Sequence, residues 1–445
     1  MMEQWSNKSV WRLLWPLILE QLLAVTIGIA DTAMVTTVGE DAISGVSLVD
    51  QINQLLIIAF SALATGGSVV VSQYIGRGDT NNSINASKQL LLTNSIVSLV
   101  IMFATLFSYK YILLLIYGNI ELSVMENARR YFWLTALSMP FFALYTASSS
   151  LFRAAGNSRL PMITALLMNI INIGGNALFI FVFKMGVTGA ALATLLCRVA
   201  GSIIMFIMQI HNRLLPIYPE NLHTTKLEPV MIKRILNIGI PGAVESSVFQ
   251  IGKILLSRVV SSFGTAALAA NAITGSVASF VFMPGTGFCM ALLTVAGQCI
   301  GAKDYESAKH WTFKLMRLMY ITLAALNILI LFTLDRWLGL FNLSSEAAAL
   351  TKTFLRLHCI TSSIAWPLSF GLPNALRAAG DAKFVMYTAI CTMWFVRISS
   401  SFIFAYVFNF GALAVWMGMG LDFFFRGSIF TIRWLNGKWQ TKKVI

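Results

Sequence analysis

The sequence predicts an all-α membrane protein with 12 transmembrane helices in two pseudo-symmetric six-helix bundles. Three observations carry that prediction. The 445 residues are 57% hydrophobic and only 11% charged, where soluble domains carry about 25% charge. Twelve apolar stretches follow one another, near 13–36, 46–71, 89–109, 131–152, 160–183, 187–210, 236–260, 268–295, 312–334, 354–374, 384–408 and 411–432. Finally, the second half of the chain repeats the first.

Each stretch reaches the roughly 20 residues that a helix needs to cross hydrocarbon. They are too long and unbroken for barrel strands. The first follows Lys8 and Arg12, as a signal peptide would, but its length and lack of a small-residue cleavage site make it the first helix. Five cysteines, Cys197, Cys289, Cys299, Cys359 and Cys391, lie in or beside apolar spans without metal-ligand spacing. They are read as small apolar residues.

The repeat has an almost constant offset. "WPLILE" with Pro16 and Glu20 matches "IPGAVE" with Pro241 and Glu245, 225 residues on. "VGEDAISGVSL" matches "FGTAALAANAI", and "SQYIGRGD" matches "GQCIGAKD", also at 225. "RAAGN" at 153–157 matches "RAAGD" at 377–381, at 224. Six spans per repeat is an even number, so the repeats enter the membrane the same way and are parallel, the arrangement of alternating-access carriers. The expected organisation is a lobe over 1–210, a polar, proline-containing cytoplasmic linker over 211–234, and a second lobe over 235–445.

The net charge of +14 follows topology and does not call for nucleic acid. With the amino terminus inside, 21 Lys and Arg fall on cytoplasmic segments, Arg153 and Arg377 among them, and 7 on outer segments. Four lie in spans: Arg198, Lys253, Arg258 and Arg397. The bias places both termini in the cytoplasm. Neither GxxxxGK[ST] nor HExxH occurs. Energised transport would therefore draw on an ion gradient. "GRGD" at 76–79 matches a membrane-protease string but falls at a charged turn, so no enzyme is expected.

Charge at the bilayer centre costs roughly 3 kcal/mol on insertion scales, so intramembrane acids are functional candidates. Glu20, Asp31, Glu245 and Asp422 lie within spans, with Asp50 near an outer end. Asp31 is 11 residues after Glu20. At about 100° per residue both share a helix face, about 16 Å apart. Asp31 reads either as a cation or proton site or as an acid paired with a neighbouring donor. Asn172 and Asn176 share a face beside Gly174 and Gly175. Their amide oxygens suit a hard cation, or an interhelical hydrogen bond. Glu245, Gln250 and Lys253 fall on one helix, where Glu245 and Lys253 read as substrate-facing groups or as an ion pair. Arg397, Asp422 and Arg426 suggest an ion network, with Asp422 and Arg426 at i, i+4. Arg198 and Arg258 are expected to snorkel.

"ADTAMV", "SQYIGRGD", "LFRAAGNSRLPM", "GIPGAVESSVFQIGK", "ALRAAGDAKF", "MWFVR" and "WMGMGLDFFFRGSIFTIRWLNGKW" together resemble the multidrug and toxic compound extrusion (MATE) family, over the whole chain. The resemblance implies two six-helix bundles facing each other in a V. It implies export of cationic, amphipathic compounds in exchange for H⁺ or Na⁺. Asp31 matches the family's helix-one acid, and Asn172 and Asn176 match its helix-five partners; Asn176 replaces an Asp common in the DinF-like branch. Glu245 matches the helix-seven acid of the NorM-like branch, but 354–374 lacks that branch's helix-ten acid, so the features are mixed.

The expectation is an inner-membrane, cation-coupled antiporter, with a flippase for a lipid-linked or peptide-like metabolite as the alternative. Asp31, Asn172, Asn176 and Glu245 would serve coupling, the first three as Na⁺ ligands if Na⁺ is the ion. Glu20, Lys253, Gln250 and Arg397 would serve substrate or gating. No cofactor beyond the coupling ion, no nucleic acid, lipid contact and a monomer complete the expectation. The cavity candidates read as mainly acidic, with Lys253 and Arg397 as exceptions.

Overall fold

The computed structural model describes residues 5–118, 120–212, 215–219, 222, 225–339 and 343–445. Among these there is no strand. The chain divides into two compact units, Asn7–Ile240 and Pro241–Ile445.

The first unit contains α1 (Asn7–Thr36), α2 (Glu40–Arg77), α3 (Thr80–Tyr117), α4 (Leu122–Leu137), α5 (Met139–Ala154), α6 (Arg159–Asn176) and α7 (Gly186–His211). A π turn, Ala177–Val182, extends α6. Helix α8 (Pro229–Ser261) begins in the first unit and continues into the second. The second unit adds α9 (Thr265–Gly301), α10 (Tyr305–Phe332), α11 (Leu334–Gly339), α12 (Ser345–Trp366), α13 (Leu372–Ala378), α14 (Ala382–Cys391), α15 (Ser399–Phe402) and α16 (Leu413–Leu435). A π turn at Pro367–Gly371 joins α12 to α13, and another at Thr392–Ile398 joins α14 to α15.

Nine of the described helices are long and apolar enough to cross a membrane. The other three crossings of the twelve-helix fold have local reasons to differ. The span expected over 131–152 breaks at Ser138 into α4 and α5, with Pro140 opening the second piece. The span over 354–374 carries Pro367, whose missing N–H leaves its π turn. Helix α8 carries Glu245, Lys253 and Arg258.

The duplication is written in the backbone. Asp79 and Asp304 are 225 apart, share φ −90° and ψ 79°, and each caps the helix that follows. Lys184 and Asn409 both take left-handed φ, 52° and 57°. In each unit one helix is buried all round, through Gly66–Tyr74 of α2 and Ala291–Gly297 of α9, as small and apolar faces on every side require.

Much of the segment expected as a linker is bound to the first unit. Ser83 Oγ donates to Pro216 O at 2.6 Å, Gln89 Nε2 to Lys226 O at 2.8 Å, and Gln209 Nε2 to Ile217 O at 2.8 Å. Helix α8 starts at Pro229, inside the expected linker, because proline is preset for a first helical turn. Gly66 and Gly239 let α2 and α8 touch: a Cβ on Gly66 would meet Ile235 O at 2.4 Å.

Candidate functional site

Two largely buried ion pairs, of which only Glu20 is fully buried, occupy equivalent places in the units. Arg153 Nη1 on α5 donates to Glu20 Oε1 on α1 at 2.7 Å. In the second unit, Arg377 Nη2 on α13 donates to both Glu245 oxygens, at 2.8 and 2.7 Å, while its Nη1 donates to Asn374 Oδ1 at 3.2 Å. Glu20 and Glu245 are repeat mates in the sequence. Sequence reading counted Arg153 and Arg377 only as cytoplasmic charge. The signal that pairs them was available: two acids 225 apart and two arginines 224 apart must pair within repeats if they pair at all.

Asp31 lies further along α1, half-buried. Asn176 Nδ2 donates to Asp31 Oδ1 and also reaches Asn172 Oδ1 at 3.4 Å. Both asparagines are fully buried on α6, which packs against α1. Asn169, one turn earlier, donates instead to Leu23 O at 3.2 Å and Ala165 O at 3.0 Å. Asn176 Oδ1 is buried without a hydrogen-bond partner among the described residues. An unpartnered amide oxygen beside a carboxylate fits a hard cation or a proton donor. Asp50, Arg198 and Tyr131 belong to the same electrostatic neighbourhood, and Asn53 faces Asp50. Sequence reading left Asp50 at an outer end and expected Arg198 to snorkel. Arg198 instead points into the unit, with Nη1 donating to Ser138 Oγ at 2.7 Å and its guanidinium 5.0 Å from the Phe142 ring centre. The break at Ser138 supplies that hydroxyl.

The second unit holds a cavity of about 390 Å³ lined by α8, α9, α12, α16 and the two π turns. This volume lies in the range of small-molecule sites. Its aromatic wall stacks Phe282 on Trp366 at 4.7 Å and Trp366 on Phe370 at 5.3 Å. Lys253 and Arg397 line it, and no Asp or Glu does. Lys253 and Arg397, the two cationic exceptions among the cavity candidates, thus share this pocket, while the acids are paired or lie in the first unit. Gln250, half-buried on α8, is not among the lining residues. Asp422 and Arg426 form the expected i, i+4 pair at 2.6 Å, both buried. Arg397 makes no ion pair within 4.0 Å among the described residues and acts on that pair only through space.

Two six-helix units with buried polar constellations define a multi-pass membrane protein whose chemistry lies inside the bilayer. The chain belongs to the MatE family, whose model matches residues 16–178 and again 241–403, the same 225-residue offset. It is therefore a transporter and not an enzyme. It is 26% identical over 438 residues to the uncharacterized transporter YisQ of Bacillus subtilis (strain 168), covering 98% of this chain and 95% of that one. It is also 26% identical to a probable multidrug resistance protein NorM of Thermotoga maritima, covering 99% and 94%. A solved outward-facing structure of a multidrug resistance MATE family transporter superposes with a TM-score of 0.91 at 18% identity, covering 98% and 97%. At that identity the likeness shows the fold alone.

Proposed function

We propose that this chain is a cation-coupled antiporter, driven by H⁺ or Na⁺, that exports organic amphipathic compounds across the inner membrane. The carrying observation is the Asp31–Asn176–Asn172 chain, with the Asn176 oxygen buried and unpartnered. Asp31 would bind the coupling ion, and Asn172 and Asn176 would complete its oxygen shell or hold the protonated carboxyl. Coupling requires the ion to favour one conformation of the lobe over another. A carboxylate that is exposed to water in one state and enclosed in the other supplies that difference. Glu20 and Glu245, each tied to an arginine, hold helix positions and could gate; Glu245 is the weaker coupling candidate for that reason. The lysine and arginine bias supports cytoplasmic termini. The names of the NorM relatives support drugs or metabolites as cargo.

The test is efflux from proteoliposomes, with Na⁺ and pH gradients imposed separately. Flux driven by Na⁺ alone would make the Asp31 cluster a metal-ion site. Flux driven by pH alone would make Asp31 a proton carrier. No flux under either gradient would overturn the antiport reading. One observation favours the flippase reading: the cationic lining of the second-unit cavity suits an anionic headgroup. Rescue of a flippase-deficient strain would support it.

A further inference from the structure

We propose that the second-unit cavity is a binding site for amphipathic organic anions, an aromatic or apolar body carrying a carboxylate, sulfonate or phosphate. The inference rests on the reading of this chain as a transporter of organic compounds, though not on its ion coupling.

The duplication makes the case sharper than the lining alone. At an offset of 225 Asp31 corresponds to Leu256, and Asn172, past the RAAG match at 224, falls against Val396 or Arg397. Both Leu256 and Arg397 line the cavity. The second unit therefore carries leucine where the first has its acid, and a guanidinium at or beside the place of Asn172. Lys253, one turn before Leu256, adds a second cation that is exposed to the cavity. The one carboxylate close by, Asp422, is fully buried and already paired with Arg426. Lys253, Arg397 and Arg426 face a single acid, which leaves an excess of positive charge at this end.

Arg397 is 7% exposed, and its Nε has no hydrogen-bond partner among the described residues. Both ring nitrogens of the buried His358 and the indole Nε1 of Trp416 are likewise unpartnered. Buried polar groups are ordinarily satisfied, and leaving a charged one unmet is costly. An anion supplies acceptors only, which is what the Arg397 Nε and the Trp416 indole N–H lack here. The stacked Phe282, Trp366 and Phe370 rings offer a flat wall for the apolar body. An organic cation of the same shape would meet two like charges at this end.

Binding is measured by titration calorimetry on the full chain in phosphatidylcholine nanodiscs, with no gradient. The probes are the isosteric pair 2-naphthalenesulfonate and trimethyl(2-naphthyl)ammonium. The sulfonate should bind at least tenfold more tightly. Arg397→Gln and Lys253→Gln should each weaken the sulfonate about ten- to a hundredfold, the range for a lost charge-assisted hydrogen bond. Lys253 is exposed, so its variant keeps the test sound if burial makes the Arg397 variant fold poorly. Arg258→Gln, exposed on the same helix and outside the lining, should leave affinity unchanged. Displacement of the sulfonate by dihexanoyl phosphatidic acid would assign the site to lipid-borne phosphates; no displacement would assign it to soluble aromatic acids. Equal or tighter binding of the ammonium, or sulfonate affinity untouched by both Gln variants, overturns the proposal. Because no gradient is applied, failure of ion-driven flux leaves this result standing, and the reverse also holds.

Discussion

A carboxylate held in hydrocarbon must be paired, hydrogen-bonded or protonated. Glu20 and Glu245 take the first course, each with an arginine at 2.7 Å. Asp31 takes the second, with the Asn176 amide as its hydrogen-bond donor. That contrast is the ground for proposing Asp31, and not Glu20 or Glu245, as the acid that exchanges an ion. Arg153→Met should lower stability by about 3–5 kcal/mol, because it leaves Glu20 as an uncompensated buried charge. The double variant Glu20→Gln/Arg153→Met should recover most of that loss. Thermal unfolding in detergent checks both. Asp31, Asn172 and Asn176 were legible in the sequence because charge and amide are rare in apolar spans, and the structure brings the three together. Arg153 and Arg377 were not legible as partners. A lysine or arginine at a helix end reads equally as topology.

At the scale of the helix, Asp79 and Asp304 cap α3 and α10 by accepting from Asn82 N at 3.1 Å and Ser307 N at 3.0 Å. Hydrogen bonds from the Asn82 side chain and then its backbone hold Asp79 below its usual 3.8. Those from the Ser307 side chain and backbone do the same for Asp304. A depressed carboxyl binds its proton later in the folded state than in the unfolded chain. The caps therefore contribute fully above pH 3.8 and lose their contribution as pH falls below it. Asp79→Ala or Asp304→Ala should cost about 0.5–2 kcal/mol at neutral pH, and progressively less as pH falls below 3.8 through the lowered folded pKa. A second change tests packing. Gly66→Val would drive a side chain into the α8 backbone, at Ile235 O and Gly239 N. Overpacking of this kind costs about 1–3 kcal/mol and should appear as a lowered melting temperature. Helix existence was legible from twelve apolar runs. The break at Ser138 and the π turns were not, because a run of apolar residues reads alike whether its backbone bonds run i to i+4 or i to i+5.

Across the whole molecule, two repeats share a fold and one Arg–Glu pair but differ in the polar groups at other corresponding places. The first unit has Asp31 with its asparagines; the second has Leu256 in place of Asp31, Arg397 at or beside the place of Asn172, and a cavity with no acid among its described lining residues. The repeat itself was plain in the sequence. The cavity was not, since its lining comes from helices up to 174 residues apart, Phe249 to Phe423. No spacing rule joins such positions. The account's central claim is that the coupling ion acts at Asp31. It is tested most directly by comparing flux in proteoliposomes of wild type and Asp31→Asn, with and without the effective gradient. Gel filtration would confirm that both insert and stay monodisperse. The account predicts that the gradient stimulates the wild type and leaves the variant's flux unchanged. Gradient-stimulated flux in Asp31→Asn equal to that of the wild type would contradict it.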